Sequence, residues 1–219
     1  MIRWEYHLEF KNPVSLFSGL AVAGMVDRMV IRDHENLPYI LGSSVKGRWR
    51  FFAERLLSSG IFSDKNDGLH IHSKEEPACK SWHKNACALC RLFGNETIPS
   101  LIRVGQASLD SKLKPAFRKI IEQNQNSVVR PDSEIRPGIA ISRKRKAALP
   151  GHLFFDEVIP PAKFNGEIFI NGDITPEEEA FLRNTARLVD GIGGRKSIGR
   201  GRLTKGIYIE GGAKCSKLP

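Results

Sequence analysis

The residues with the most chemistry lie near the end of the chain, in Gly191-Ile192-Gly193-Gly194-Arg195-Lys196-Ser197-Ile198-Gly199-Arg200-Gly201-Arg202, where five glycines are interleaved with four cations and one hydroxyl. Glycine permits positive φ and lets backbone N–H groups come close to a ligand. Successive exposed N–H groups form a concavity for an anion, and arginine adds a bidentate fork that fits a phosphate. A flexible basic linker is the bland reading. A helix expected just before the loop and a strand expected just after it set the loop on a rigid frame. That favours phosphate binding by Gly193, Gly194, Arg195, Lys196, Ser197 and Arg200.

A second constellation is Gly42-Ser43-Ser44-Val45-Lys46-Gly47-Arg48-Trp49-Arg50. Ser43 or Ser44 is placed to cap a helix here, and a helix N-terminus offers free N–H groups and the positive end of a dipole. Lys46 and Arg50 are four apart and share a face, with Arg48 nearby. An ordinary capped helix with a solvated basic face competes with this reading. Taken together with the glycine loop, Ser43, Ser44, Lys46, Arg48 and Arg50 point to a nucleic-acid backbone track. Gly47 costs about 1 kcal/mol inside a helix, which suggests close approach by another backbone.

The third is Cys79-x3-His83-x3-Cys87-x2-Cys90. Cys-x-x-Cys is zinc-knuckle spacing, and four N or S ligands satisfy tetrahedral Zn²⁺. The fourth ligand stays open among His83, His72 and His70. Buried free cysteines are the competing reading, but a segment this rich in His and Lys offers little core to bury them. The expected site is closed and structural. Asp27 follows a Gly-rich approach and precedes Arg28; by its own chemistry it reads as a turn or salt-bridge residue. The basic 127–150 segment carries Arg136 and Arg143 around the alternating Ile139-Ala140-Ile141.

The frame follows from periodicity. Ile2, Trp4, Tyr6, Leu8 and Phe10 alternate with polar residues as a strand with one buried face. Val45, Trp49, Phe52 and Leu56 form a helical stripe that Gly60 closes. Residues 61–91 read as a polar insertion, 101–109 as a strand, 111–127 as basic and helix-capable. The 127–150 segment reads as a protruding hairpin, 153–159 and 164–170 as strands. Thr175-Pro176-Glu177-Glu178 is a capping box opening a helix with Phe181, Leu182, Thr185, Leu188 and Val189 on its apolar face. A last strand is expected at 203–209. This order suits an α+β, ferredoxin-like core with insertions.

The chain has 219 residues, with 34 Lys and Arg against 24 Asp and Glu, a formal net charge of +10. That excess points to a polyanion, nucleic acid first. No apolar run approaches the roughly 18 residues of a membrane span, and the N-terminus lacks a signal-peptide apolar region. Cytoplasmic location is expected. Cysteine clustering there suits metal better than disulfides.

These segments together resemble the backbone subunit of type III CRISPR effector complexes, a RAMP-superfamily protein. Val26-Asp27-Arg28-Met29-Val30-Ile31 running into Gly42-Ser43-Ser44-Val45-Lys46-Gly47 is similar to that family's aspartate loop and Gly-Ser-Ser-x-Lys-Gly helix. Cys87-Ala88-Leu89-Cys90-Arg91-Leu92-Phe93-Gly94 is similar to its Leu-Phe-Gly segment, here with a zinc knuckle. Gly138 to Arg143 with Leu153 to Glu157 resembles its thumb, and 191–203 its glycine loop. The resemblance implies one RAMP-type domain over residues 1–219, a palm with a protruding thumb at about 127–150 and a zinc insertion at about 61–91. It implies head-to-tail copies on a guide RNA (crRNA), together with other type III effector subunits. It implies Asp27 as the residue that cleaves target RNA, with a divalent cation such as Mg²⁺ and attack by the 2′-OH. Arg28 departs from the small or apolar residue expected after the aspartate, and a pair with Asp27 is anticipated. An inert scaffold, and a guide-processing ribonuclease using His7 or His34, are the competing functions.

Overall fold

The computed structural model describes residues 1–60, 69, 71, 78–80, 86–123 and 130–211. Strand β1 (Ile2–Glu9) lies inside a six-stranded sheet of order β2-β4-β7-β1-β8, with β3 also paired to β7. The other strands are β2 (Tyr39–Ile40), β3 (Ile102–Val104), β4 (Ala107–Leu109), β7 (Lys163–Ile170) and β8 (Tyr208–Glu210). All the pairings are antiparallel; β1 runs from Ile2 opposite Ile170 to Glu9 opposite Lys163. The alternation of β1 is realised. Trp4, Tyr6, Leu8 and Phe10 are buried, while Arg3, Glu5 and Glu9 face outward.

Helices α1 (Gly42–Ser58) and α4 (Pro176–Arg187) pack together on the sheet. Trp49 joins them: its indole N–H donates to Thr185 Oγ1 at 2.9 Å, with both side chains buried. The α1 stripe holds, with Val45 and Trp49 buried and Phe52 and Leu56 against the core. The α4 capping box also holds: Glu178 N–H donates to Thr175 Oγ1, and Thr175 N–H to Glu178 Oε2. Leu188, expected on the apolar face, is instead exposed at the helix end, and Val189 takes the buried place.

Other boundaries differ from expectation for local reasons. Helix α1 starts at Gly42 with Leu41 before it and no side-chain cap, so Ser43 and Ser44 keep exposed hydroxyls. Gly42, not Gly47, is the point of close approach: a Cβ there would lie 2.1 Å from the Val104 carbonyl oxygen, whereas one at Gly47 would meet nothing within 4 Å. The 101–109 strand is two, broken where Gly105 N–H donates to Glu167 O and its carbonyl accepts from Tyr6. The last strand shrinks to β8 because Gly206, at φ 73°, turns the chain after the Leu203 bridge to Phe10. The 111–127 segment gives α3 (Lys114–Glu122).

Strands β5 (Glu134–Ser142) and β6 (Ala147–Val158) form a separate two-stranded hairpin with a bulge between Ile139 and Ile141. The segment expected to be an independent strand at 153–159 is thus mostly the second arm of this hairpin. The hairpin's base is fixed by a buried ionic network. Arg32 bridges Asp132 at 2.6 Å and Glu157 at 2.8 Å, and Glu157 also accepts from Ser133 Oγ and Val30 N–H. Burial pushes the Glu157 carboxyl up, but the hydrogen bonds from Ser133, Val30 and Arg32 outweigh it and the net direction is down. A carboxyl lowered on folding adds stability above its unfolded pKa and loses it as pH falls through the folded one. Glu157→Ala leaves Arg32 half-paired and is expected to cost about 3–5 kcal/mol at neutral pH. Urea melts read this, and the deficit should shrink as pH drops below about 4.5; a constant deficit would mean that the network's charge is not its source of strength. Among the described residues, no helix is long and apolar enough to cross a membrane.

Candidate nucleic-acid interface

The two glycine- and cation-bearing segments, about 150 residues apart in sequence, meet in space. A cleft of about 530 Å³ is lined by Ser43, Ser44, Gly47 and Arg48 from α1 and by Gly193, Gly194 and Lys196 from the loop, with residues 15–17 as floor. The start of α1 supplies hydroxyls and the positive end of its dipole, and Arg48 and Lys196 supply charge. Gly47, unexplained by packing, opens room on this wall. Arg48 is held by the Gly191 carbonyl and Asp190 Oδ1, and it lies over the Phe51 and Phe52 rings. Lys196 Nζ donates to Gly193 O.

The loop's glycines have a different first duty from the one expected. Gly193 has φ 101°, and a Cβ there would lie 2.6 Å from Ser15 O; one at Gly194 would strike the Phe17 ring. The Gly194 and Gly201 N–H groups donate to Ser15 O and Pro13 O. Two of the loop's N–H groups thus dock it on residues 13–17 and are not offered to a ligand. Arg200 is a correction of the same kind. It is buried, donating to Ser15 Oγ and Asp156 Oδ2, and so it holds the loop. Ser197 sits exposed in a short 3₁₀ turn, Lys196–Ile198.

Lys46 and Arg50 do share a face of α1, but it is not the cleft's. Lys46 Nζ donates to Ser100 Oγ at 2.6 Å and Arg50 to Gly94 O. Burial, then the charge of Arg50, pushes the Lys46 ammonium pKa down. Arg136 pairs with Glu134 on β5, and Arg143 is exposed in the hairpin turn. This placement separates two expectations. Arg48→Ala and Lys196→Ala should each weaken RNA binding alike for all sequences and lower the salt dependence by about one phosphate contact. Lys46→Ala should act more on thermal stability. Filter binding across a salt series checks this, and unchanged slopes for the cleft pair would remove the cleft from the RNA path.

Asp27 lies exposed at a bend just after the turn that a bridge between Val22 and Val26 closes. Strand β6 grips it: Phe155 N–H donates to Asp27 Oδ2 at 2.6 Å, and Asp27 N–H donates to Phe155 O at 2.9 Å. The anticipated Asp27–Arg28 pair is replaced. Arg28 stands 3.6 Å from Asp156 and lies 5.2 Å from the centres of both the Phe17 and Phe154 rings. Sequence reading missed Asp156. Its signal was a carboxylate pair, Asp156-Glu157, set in an otherwise apolar strand. His7, one of the two histidine candidates, lies in a separate pocket with Asp110 and Tyr208, where its Nδ1 meets Asn165 Oδ1.

Cys79, Cys87 and Cys90 bring their sulfur atoms within 4.8 Å of one another, the one such metal-ligating group among the described residues. The expectation that this segment lacks core is wrong. Helix α2 (Ala88–Phe93) is almost wholly buried, and Cys87 and Cys90 with it. Burial raises the Cys90 thiol pKa, but hydrogen bonds from the Cys79 backbone, Asn95 and the neighbouring cysteines outweigh it, toward thiolate. Cys87 N–H also donates to Cys79 Sγ. Three sulfur atoms gathered this closely fit a thiophilic metal ion. His83, His72 and His70 lie outside the described residues.

The chain belongs to the RAMP superfamily, whose pattern matches residues 7–204. It is similar in fold to a chain in the cryo-EM structure of the Type III-B Cmr-beta bound to cognate target RNA, at a TM-score of 0.60 and 15% identity, covering 95% of this chain and 97% of that one. No curated protein matches it in sequence.

Proposed function

We propose that the chain is the guide-RNA-binding backbone subunit of a type III CRISPR effector and that it cuts the target RNA paired to that guide. The meeting of Ser43, Ser44 and Arg48 with Gly193, Gly194 and Lys196 in one cleft carries this reading. In it, the sheet with α1 and α4 is a ferredoxin-like palm whose cleft tracks guide phosphates. The β5–β6 hairpin is the thumb, and Ile139, Ile141 and Leu153, all exposed on it, form the apolar wedge between guide and target. Arg136 and Arg143 reach the nearby backbone. Further copies stack head to tail along the guide beside other effector subunits, in the cytoplasm.

Cleavage follows from what Asp27 can do. With Oδ2 holding Phe155 N–H, the other carboxylate oxygen is available to a ribose 2′-OH. It takes the hydroxyl proton as the 2′ oxygen attacks the adjacent phosphorus. The P–O5′ bond breaks, leaving a 2′,3′-cyclic phosphate, and the departing 5′ oxygen takes a proton from water to become a 5′-OH end. A flipped nucleotide permits the in-line geometry that a stacked helix forbids, and the need for a 2′-OH confines the reaction to RNA. A divalent cation such as Mg²⁺, when bound, offsets charge on the phosphate. Structural zinc on Cys79, Cys87 and Cys90 would anchor α2, its fourth ligand coming from His83, His72 or His70.

The test is the assembled complex on a guide, given complementary RNA and Mg²⁺. Cuts should recur at a constant spacing, one per copy, and a single 2′-deoxy substitution should abolish only the cut beside it. Tight binding without cuts would leave the chain an RNA-binding scaffold.

A further inference from the structure

Three arginines converge on one buried carboxylate. Asp156 is wholly buried, and Arg200 lies 2.9 Å, Arg195 3.4 Å and Arg28 3.6 Å from its oxygens. Three guanidiniums against one carboxylate leave two positive charges in excess at this point. Arg200 is buried and completes the structural pair. The other two are not. The Arg28 and Arg195 side chains keep 40% and 29% of their surface in solvent. Both are stacked on Phe154, at 5.2 Å and 4.2 Å from its centre.

Two further observations bear on this arrangement. Asp156 Oδ1 and Arg195 Nε are buried and make only long ion-pair contacts, 3.6 Å to Arg28 Nε and 3.4 Å to Asp156 Oδ2, with no hydrogen bond to either atom among the described residues. Arg195 also sits at φ 57°, a left-handed conformation that a residue other than glycine adopts at some cost. That turn takes its side chain out of the cleft: Lys196 lines the cleft wall and Arg195 does not. Strand β6 then places the pair. Phe155 grips Asp27 through its backbone, and the next residue, Asp156, holds Arg28 and Arg195 through its side chain.

We propose that Arg28 and Arg195, pinned by Asp156 and Phe154, form a clamp for an RNA phosphodiester beside Asp27, and that this phosphate belongs to the target strand. The proposal rests on the functional reading above and deepens it. Two guanidinium forks beside the attacked phosphate would orient it and offset the charge that builds up as the 2′ oxygen attacks. Asp156 is then a positioning residue, and Arg28 is an asset where sequence alone made it a liability.

The experiment uses the assembled complex and two binding measurements across a salt series. One follows guide loading; the other follows capture of a target made uncleavable by 2′-deoxy substitution at every cut position. Arg28→Gln and Arg195→Gln change partly exposed side chains and leave the buried Arg200–Asp156 pair in place, so both should fold. Each should lower the target-binding salt slope by about 0.7–0.9 per copy and leave the guide-loading slope unchanged. On cleavable RNA each should slow single-turnover cutting at least tenfold at saturating target, and Arg28→Lys should restore the slope but not the rate. Asp156→Asn should match the double arginine variant; a folded Asp156→Asn with wild-type slope and rate overturns the pinning role. Wild-type slopes and rates in both arginine variants overturn the clamp, and a fall in the guide slope instead overturns the target assignment. If wild type never cuts, the nuclease reading fails while the target slopes still decide the clamp.

Discussion

Asp27→Ala is expected to leave target RNA bound and uncut, with a loss of at least ~10²-fold in rate, the range for removing a general base. The side chain is exposed, so truncation creates no cavity. It does free Phe155 N–H, whose bond to Oδ2 fixes the turn against β6. A lost anchor and a lost base must therefore be told apart, and Asp27→Asn does so. Its amide oxygen can still accept from Phe155 N–H, while its amide nitrogen cannot take a proton from the 2′-OH. Equal inactivity of the two variants, each with target affinity within a few-fold of wild type, assigns the loss to proton transfer. Recovery of cutting in Asp27→Asn would make the residue a mere anchor. Normal cutting by Asp27→Ala would move the chemistry elsewhere.

Local patterns survived the passage from sequence to structure, and long-range ones did not. The alternation of β1 and the capping box at Thr175 need no knowledge of the rest of the chain, and both are realised. Ser43, Ser44 and Arg48 were legible as anion-binding types because a helix start is a local feature. Which cations faced outward was not legible. The partners that take up Lys46 and Arg50, Ser100 and Gly94, arrive from a segment about 50 residues on. The glycine loop illustrates the same limit. Its composition announced backbone freedom, but only residues 13–17 reveal that Gly193 and Gly194 are there to pack. Asp156 was least legible, since its meaning depends on arginines drawn from two other segments of the chain. Buried ionic pairs leave no periodic trace.

The other large effect should come from the cysteines. The purified chain is expected to carry about one Zn²⁺, with a chelator lowering its melting temperature sharply. Zinc binding free energy at a structural site is folding free energy, on the order of 10 kcal/mol in small domains, which exceeds the whole stability of many folds. Here the coupling runs through α2. Cys87 and Cys90 flank Leu89, and all three are buried with Leu92 and Phe93, the latter edge-on to Trp49 at 5.4 Å. Releasing the metal loosens the short helix that packs against the middle of α1. Cys87→Ser and Cys90→Ser also place hydroxyls in an apolar site, so both should be poorly soluble. Cys79→Ser, at a half-buried position, should be milder. Melts of the isolated chain without RNA keep this effect apart from any divalent ion needed for cutting. Elemental analysis without zinc, together with a melting temperature indifferent to chelator, would return the three thiols to the role of ordinary buried cysteines.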